Sequence, residues 1–526
     1  MLVEAGLLFL LILLFAYYYV TKQWGFFTAL GVPYGKPTFP FGSSNAWQCF
    51  TGKAPLTDTV KLIVEEEFPK ERVFGYFAFG QPNFVINDED LAKRILIKDF
   101  EHFSDRRTFK SSDSITNAFM INLTGTSWKK MRSLMSGVFT SGKLKLMVNH
   151  ILKTGKNLEL YIRKIAEEGT EVDMKVVGGY MTLDSIATAG FGIETNSFDD
   201  PNNTFRVQAL TLVQAPGYTS RFNILKFVFI VIFPKLAKIM HIDVLDKVSI
   251  TFFSDIIRKT YRHRLESGDR RNDIIDIIVD EIKSSKNKGT SKPEVYESEF
   301  EKDAALDTSD INNDDALGFD EETLLISNAL LFFFAGFETT STGISVCCHR
   351  LALHPDIQER LYDEIVDILG DSEEVTFQHI QELKYMDQFI SEAFRLNPMI
   401  NAHERLCTKD YKIPGSDIVI PKGRYVQVYT PEISMSKNNF KNPKEFDPDN
   451  FAPENNPNKF GLMLFGQGPR NCIGMRYALL TIKVTLLSIV RSYRCVRGLK
   501  TTDKLVIDIS NLNVFKDGVF VKFEKR

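Results

Sequence analysis

The chain opens on an unbroken apolar run. Residues 5–20 read AGLLFLLILLFAYYYV without a charge. With residues 1–3 they approach the ~20 residues a helix needs to cross a bilayer. Tyr17, Tyr18, Tyr19 and Trp24 fall at the polar edge of such a helix. Glu4 precedes the run and Lys22 follows it, an order that places the bulk of the chain in the cytosol. A cleaved signal peptide would carry a positive first region and a small-x-small cleavage site, and neither is clear; an Arg-rich presequence is absent. Residues 1–22 are therefore expected to be a retained membrane anchor. Pro33, Pro37 and Pro40 then make residues 23–44 a stiff, non-helical connector. From 45 to 526 no repeat and no second linker divides the chain.

Helical periodicity dominates that long remainder. Glu321–Leu353 passes from amphipathic to fully apolar, and residues 357–369 alternate apolar and charged positions at helical spacing. Strand-like pieces occur at 73–79, 425–429 and 514–523. The predicted class is mainly α with small β-sheets. Residues 222–234, FNILKFVFIVIFP, are too short to span a membrane. They form either a buried helix or a segment lying in the lipid surface. Residues 284–322 are rich in Lys, Asp, Glu, Ser and Asn, cannot bury enough surface to offset ordering, and predict a mobile acidic surface loop.

Composition narrows the class further. The 526 residues suffice for one large core, and 43 Phe point to an aromatic interior suited to apolar ligands. A net charge of -3 argues against a nucleic-acid partner. The six Cys lie at 49, 347, 348, 407, 472 and 495, with no Cys-x-x-Cys and no zinc spacing. That usage fits a reducing compartment, with Cys347 and Cys348 as small buried residues of a helix. Two sequons, at Asn122 and Asn202, would stay unmodified on a cytosolic domain.

Chemistry concentrates in a few places. Residues 465–474 read FGQGPRNCIG, a Gly-rich loop that ends in Cys472 just before a helical run. The helix N-terminus and nearby Arg470 both favour the thiolate, while Gly466, Gly468 and Gly474 let backbone approach a flat partner. Such a set suits a metal cofactor bearing carboxylates; a lone buried Cys is the alternative, and the spacing does not fit a dinucleotide loop. A second place is AGFETTST, residues 335–342, where an acid and two Thr interrupt an apolar helix. The Thr hydroxyls would bond back to carbonyls one turn earlier, or the group has a catalytic task. Glu392 and Arg395 share one helix face, as do Trp128 and Arg132.

The Cys loop matches the cytochrome P450 signature F-x-x-G-x-R-x-C-x-G at Phe465, Gly468, Arg470, Cys472 and Gly474, so the chain resembles that superfamily of haem-thiolate monooxygenases. The resemblance extends from the connector to the C-terminus. FSDRR, AGFETTST, ERLCTKD and GPRNCIGMR look closest to the microsomal clan of vertebrate drug-metabolising and insect detoxifying enzymes.

That resemblance implies haem b, iron protoporphyrin IX, with Cys472 as axial ligand and Phe465 near its sulfur. It implies Arg106, Trp128, Arg132, Arg405 and Arg470 as propionate donors, Ala335 and Gly336 over the haem face, and Glu338 and Thr339 as a proton relay in dioxygen activation. Glu392 and Arg395 become a structural pair, joined by Asn450 where the family usually has Arg; Asn450 can bond but adds no charge. Electrons would come from NADPH through a separate flavoprotein, NADPH-cytochrome P450 reductase, with cytochrome b5 as a further partner, because the chain has no dinucleotide fingerprint. Lys129 and Lys130 are candidate docking cations for the reductase. Substrate contacts are expected from 103–119, 222–234, 328–334, 399–403 and 511–515, for a lipophilic small molecule at the endoplasmic reticulum membrane. Two rivals remain: a haem-thiolate isomerase or dehydratase of fatty-acid peroxides, and a non-catalytic haem or ligand carrier.

Overall fold

A 33-residue helix, Glu321–Leu353, runs through the core and sets the positions of the other elements. The computed structural model describes residues 2–526 apart from 41, 44–58, 79, 110, 214–225, 227–228, 231–232, 288–303, 307–316, 371, 373, 456–457 and 508–514. Seven helices matter below: α1 Leu2–Thr21, α2 Gly125–Ser136, α3 Ser141–Glu168, α4 Met174–Phe191, α5 Glu321–Leu353, α6 Lys384–Leu396 and α7 Met475–Val490.

The ends of α5 are explicit in its sequence. Asp320 caps it, its carboxylate accepting from the Thr323 N–H at 2.9 Å, and Glu321 and Glu322 complement the positive helix end. His354 and Pro355 end it, since the residue before a proline is disfavoured in helix. Among the described residues α5 is the helix apolar and long enough to cross a membrane, yet 72% of that apolar window is buried inside the protein. It is a core helix. Glycines admit its neighbours. A Cβ on Gly336 would lie 2.6 Å from Ile186 of α4, and one on Gly343 would lie 2.7 Å from Phe394 of α6 and 3.3 Å from Ile482 of α7. Cys347 and Cys348 are fully buried, as expected of small apolar residues.

Six strands form the larger sheet: β1 Pro37–Thr38, β2 Gly42–Ser43, β3 Val73–Ala78, β4 Gln81–Ile86, β5 Ala402–Leu406 and β6 Tyr425–Tyr429. Their order is β1-β2-β3-β4-β6-β5, with β4 parallel to β6 and the other pairs antiparallel. β5 alternates, so His403 and Arg405 both turn inward. Tyr493–Val496, Phe520–Lys525 and Val172–Asp173 form a smaller sheet against the start of α4.

Several boundaries differ from the sequence expectation. The connector contains a short helix, Phe26–Leu30, and Phe27 is fully buried against Tyr34, Phe77 and Phe84. Its burial contributes roughly 2 kcal/mol, and Gly75 makes room, since a Cβ there would lie 2.4 Å from the Phe27 ring. Residues 26–34 thus pack into the domain. Residues 284–287 continue the helix Ile274–Asn287, and most of the predicted acidic loop lies outside the described residues. The last strand begins at Phe520, later than position 514, which itself lies outside the described residues.

Candidate active site

The loop before α7 is closed by its own backbone. The N–H of Cys472 donates to Phe465 O at 2.7 Å, that of Asn471 to Gly468 O at 2.9 Å, and that of Gly466 to Met463 O at 3.1 Å. Gly466 and Gly468 have φ of 74° and 73°. At Gly468 glycine is obligatory, because a Cβ would lie 1.8 Å from Leu96 O. Gly474 caps α7 and a side chain there would meet nothing within 4 Å. Phe465 is half-buried and Cys472 is open on one side while its neighbours Arg470 and Asn471 are buried.

Burial pushes the Cys472 thiol up, although the Gly474 N–H, Arg132 and Arg106 act against it. The expected lowering by helix end and cation is therefore outweighed by desolvation in the protein alone. A metal bound to the sulfur would reverse that balance.

Around this loop the structure gathers the five predicted donors from four segments. Arg106 donates to Arg470 O at 2.7 Å, and Arg132 on α2 donates to Asn471 O at 3.0 Å. The Arg470 guanidinium lies 3.8 Å over the Trp128 ring and donates to Ser104 O at 2.7 Å, so part of its capacity is spent on tying the loop to residues 104–105. Arg405 is fully buried, yet among the described residues its Nε and one terminal nitrogen have no partner. Arg107 pairs with Glu404 at 3.1 Å, and Arg470 with Asp105 at 3.4 Å. Among the described residues no carboxylate pairs with Arg106, Arg132 or Arg405. Burial pushes all four cations Arg106, Arg132, Arg405 and Arg470 down. Arg106 adds repulsion on the other three, which Cys472 and Asp105 oppose in part.

A fully buried guanidinium without a carboxylate, as at Arg405, is too costly to stand alone. The arrangement calls for a ligand carrying at least two negative charges on one edge. Two propionates meet that demand, and an open sulfur beside them fits an axial iron ligand. His403, inward beside Arg405, is pushed down to about 3 by burial and the two nearby arginines, and donates from Nε2 to Met463 O at 3.2 Å. It adds no positive charge and braces the Cys loop.

The middle of α5 carries the second predicted group. Ala335 and Thr339, four residues apart, are exposed on a helix otherwise buried around them. Thr339 Oγ1 donates to Ala335 O at 2.6 Å, the back-bond expected of a Thr without another task, and the buried Thr340 hydroxyl lacks a partner. The Cβ direction of Gly336 points at Ile186, so its smallness serves helix packing rather than only the open face. Glu338 is buried in a 2.8 Å ion pair with Lys175 on α4. Nothing local in the sequence marks that partner, which lies 163 residues away. Burial pushes the Lys175 ammonium down from its usual value, and Glu338 opposes the shift.

Glu392 and Arg395 are fully buried and joined twice at 2.7 Å; Arg395 also donates to Ser434 O and Pro443 O. Asn450 Nδ2 and the Asp447 N–H each reach Glu392 Oε1 at 3.0 Å. Arg350 on α5 lies within electrostatic reach of Glu392, so a second cation besides Arg395 still faces the acid although Asn450 brings none. Lys129 is not the exposed docking cation expected: it is buried and pairs with Glu101 at 3.1 Å. In the region expected to touch substrate, Asp243 accepts from Ser111 Oγ and the Ser112 N–H, both at 2.7 Å, tying residues 111–112 to the end of the segment after Pro234–Ile239.

The sequence profile described as Cytochrome P450 matches residues 64–512. "Probable cytochrome P450 6a14" of Drosophila melanogaster is 30% identical over 520 residues, 97% of each chain. "Cytochrome P450 3A41" of Mus musculus is 31% identical, covering 93% of this chain and 90% of its own. "Lithocholate 6-beta-hydroxylase" of Mesocricetus auratus is 31% identical over the same shares. With its profile match, its near-full-length insect and vertebrate relatives and a mainly helical fold, the chain belongs to the cytochrome P450 family of haem-thiolate monooxygenases and is an oxidoreductase.

Proposed function

We propose that this chain is a membrane-anchored monooxygenase that inserts one oxygen atom of O2 into a lipophilic small molecule, with electrons from NADPH through a separate flavoprotein reductase. The observation that carries the reading is the cluster of buried Arg405 and Arg470 and half-buried Arg106 and Arg132 beside the open sulfur of Cys472, with two nitrogens of Arg405 left without a partner among the described residues. Bound haem supplies the oxygen activation and the electron-rich iron that a thiolate ligand favours. Cys472 would ligate through Sγ, Trp128 and the arginines would hold the propionates, and Phe465 would shield the sulfur. Ala335 and Thr339 present the open side of α5, and Glu338 moves protons toward Thr339 Oγ1.

The substrate class is lipophilic, covering xenobiotics, steroids and other lipids. The aromatic interior supports this: Phe191, Phe205, Phe253 and Phe333 form a contiguous ring cluster beside α5. One relative, a lithocholate 6-beta-hydroxylase, points the same way. The membrane reading rests on α1, with Leu7, Leu10, Leu11, Leu14 and Phe15 exposed, and on its root, where Tyr19 stacks on Phe233 at 6.2 Å. The endoplasmic reticulum, with the domain facing the cytosol, is the compartment that fits.

Reconstitution with a flavoprotein reductase in vesicles tests the proposal. Oxygenated product from a steroid or fatty acid that needs both NADPH and O2 is expected. Conversion of a fatty-acid peroxide without NADPH, and no NADPH-dependent product, would favour the isomerase instead.

A further inference from the structure

An open cavity of about 280 Å³ lies between residues 108–124 and the short helix Pro234–Ile239. Its described lining is Thr108, Phe109, Asn117, Asn122, Thr124 and Lys238. Both amides are spent within their own wall. Asn117 accepts from the Ser111 N–H and donates to Ser111 O, each at 2.9 Å. Asn122 accepts from the Phe109 N–H at 3.3 Å and donates to Thr116 O at 2.9 Å. Asp243, beyond the helix, is spent on Ser111 and Ser112. Lys238 is exposed and in no ion pair among the described residues, and no described carboxylate lines the cavity. What faces the cavity is thus an ammonium with the hydroxyls of Thr108 and Thr124, a set of donors that suits an anion. Sites that enclose a whole ligand run from about 300 to 1,000 Å³, so this cavity fits a head group whose tail lies elsewhere. Its place says which kind. Leu236 and Ile239, on the helix of Lys238, are exposed apolar residues. On the other wall the Gly125 N–H donates to Asp105 at 2.9 Å, next to Arg106 of the cofactor site. The cavity therefore lies between an apolar surface and the cluster around Cys472. An acid dissolved in a lipid surface keeps its carboxylate at such a polar edge.

We propose that this cavity takes the carboxylate of an acidic amphiphile, with Lys238 as the cation that selects it, so that the enzyme prefers lipophilic acids to their neutral counterparts. This deepens the reading of a lipophilic substrate and rests on it. Lys238 Nζ donates to the carboxylate and the Thr108 and Thr124 hydroxyls donate beside it, leaving the apolar tail for the aromatic interior. A neutral alcohol forgoes the charge-assisted bonds. A phospholipid phosphate would meet the same donors, so the composition of the vesicle separates the two sources.

Spectral titration of the holoenzyme in phosphatidylcholine vesicles, with a long-chain fatty acid and the matching alcohol, tests the proposal. Lys238→Met is expected to weaken binding of the acid about tenfold and to leave that of the alcohol unchanged. Lys238→Arg should keep the wild-type ratio, and added salt should shrink the wild-type preference for the acid. Lys238 is exposed, so its replacement leaves folding intact, and thermal melts check this. The same acid-to-alcohol ratio in wild type and Lys238→Met overturns the proposal. So does a loss confined to vesicles that carry an anionic phospholipid, which would give Lys238 to the lipid head group. If the wild type binds neither probe, the lipophilic reading fails and the proposal with it. If it binds both and the ratio ignores Lys238, that reading stands and the proposal fails alone.

Discussion

Arg405 states the demands of the site in one side chain. It sits at an inward position of β5, is fully buried, and donates one bond, to Glu404 O at 3.0 Å. Its other nitrogens find no acceptor among the described residues. If they serve a propionate, the missing bonds are charge-assisted and worth about 1.5–3 kcal/mol. Arg405→Leu should then release haem to a scavenging globin roughly tenfold faster or more, while the thermal stability of the haem-free chain holds or rises. Equal release rates would remove Arg405 from the cofactor site. The residues proposed to hold the cofactor could be named from the sequence because each lies in a short stretch that resembles a family motif. Lys175 and His403 were not legible as neighbours of Glu338 and of the Cys loop, since only folding brings such distant segments together.

At the scale of elements, α5 and α6 show how charge is kept inside. Removing the acid of the Glu392–Arg395 pair leaves a buried cation with no carboxylate, and Glu392→Ala should cost about 3–5 kcal/mol. Asn450→Ala removes one bond to Glu392 Oε1 and should cost about 1 kcal/mol; urea unfolding separates the two. An Asn450→Ala cost as large as that of Glu392→Ala would mean that Asn450 carries the network and that Arg350 does not compensate. Near the end of α5, His349 is 1% exposed, donates from Nε2 to Thr502 O, and is pushed down to about 4 by burial. The folded chain resists the proton that the unfolded chain accepts. Stability should therefore fall as pH drops from about 6.5 toward about 4, by roughly 3 kcal/mol. His349→Gln should flatten that part of the pH profile, and an unchanged slope would assign it to other groups. The bounds of α5 were readable from Asp320 and Pro355. The helix Phe26–Leu30 was not, because prolines on its C-terminal side concealed five residues whose helicity depends on packing Phe27 into the sheet.

Over the whole molecule, apolar surface gathers where α1 joins the domain. Tyr17 contacts Phe39 at 5.4 Å, Tyr19 contacts Phe233, and Leu236, Ile239 and Met240 are exposed just beyond. Such a patch has the character of a lipid contact beside α1. A chain lacking residues 2–21 should still float with lipid vesicles, and Leu236, Ile239 and Met240 all changed to Ser should release it. Complete loss of flotation on truncation alone would confine membrane binding to α1. Length, aromatic content and a helical period were enough to anticipate the mainly helical class. Sheet order and the packing of the connector were not, because they depend on contacts between segments far apart in the chain. The central claim is that Cys472 binds haem iron through a thiolate, and the absorption spectrum of the reduced carbon-monoxide adduct tests it most directly. The wild-type chain should show the strongly red-shifted Soret band of thiolate ligation, and Cys472→Ala should lose it. A Cys472→Ala variant that retained that band would contradict the account.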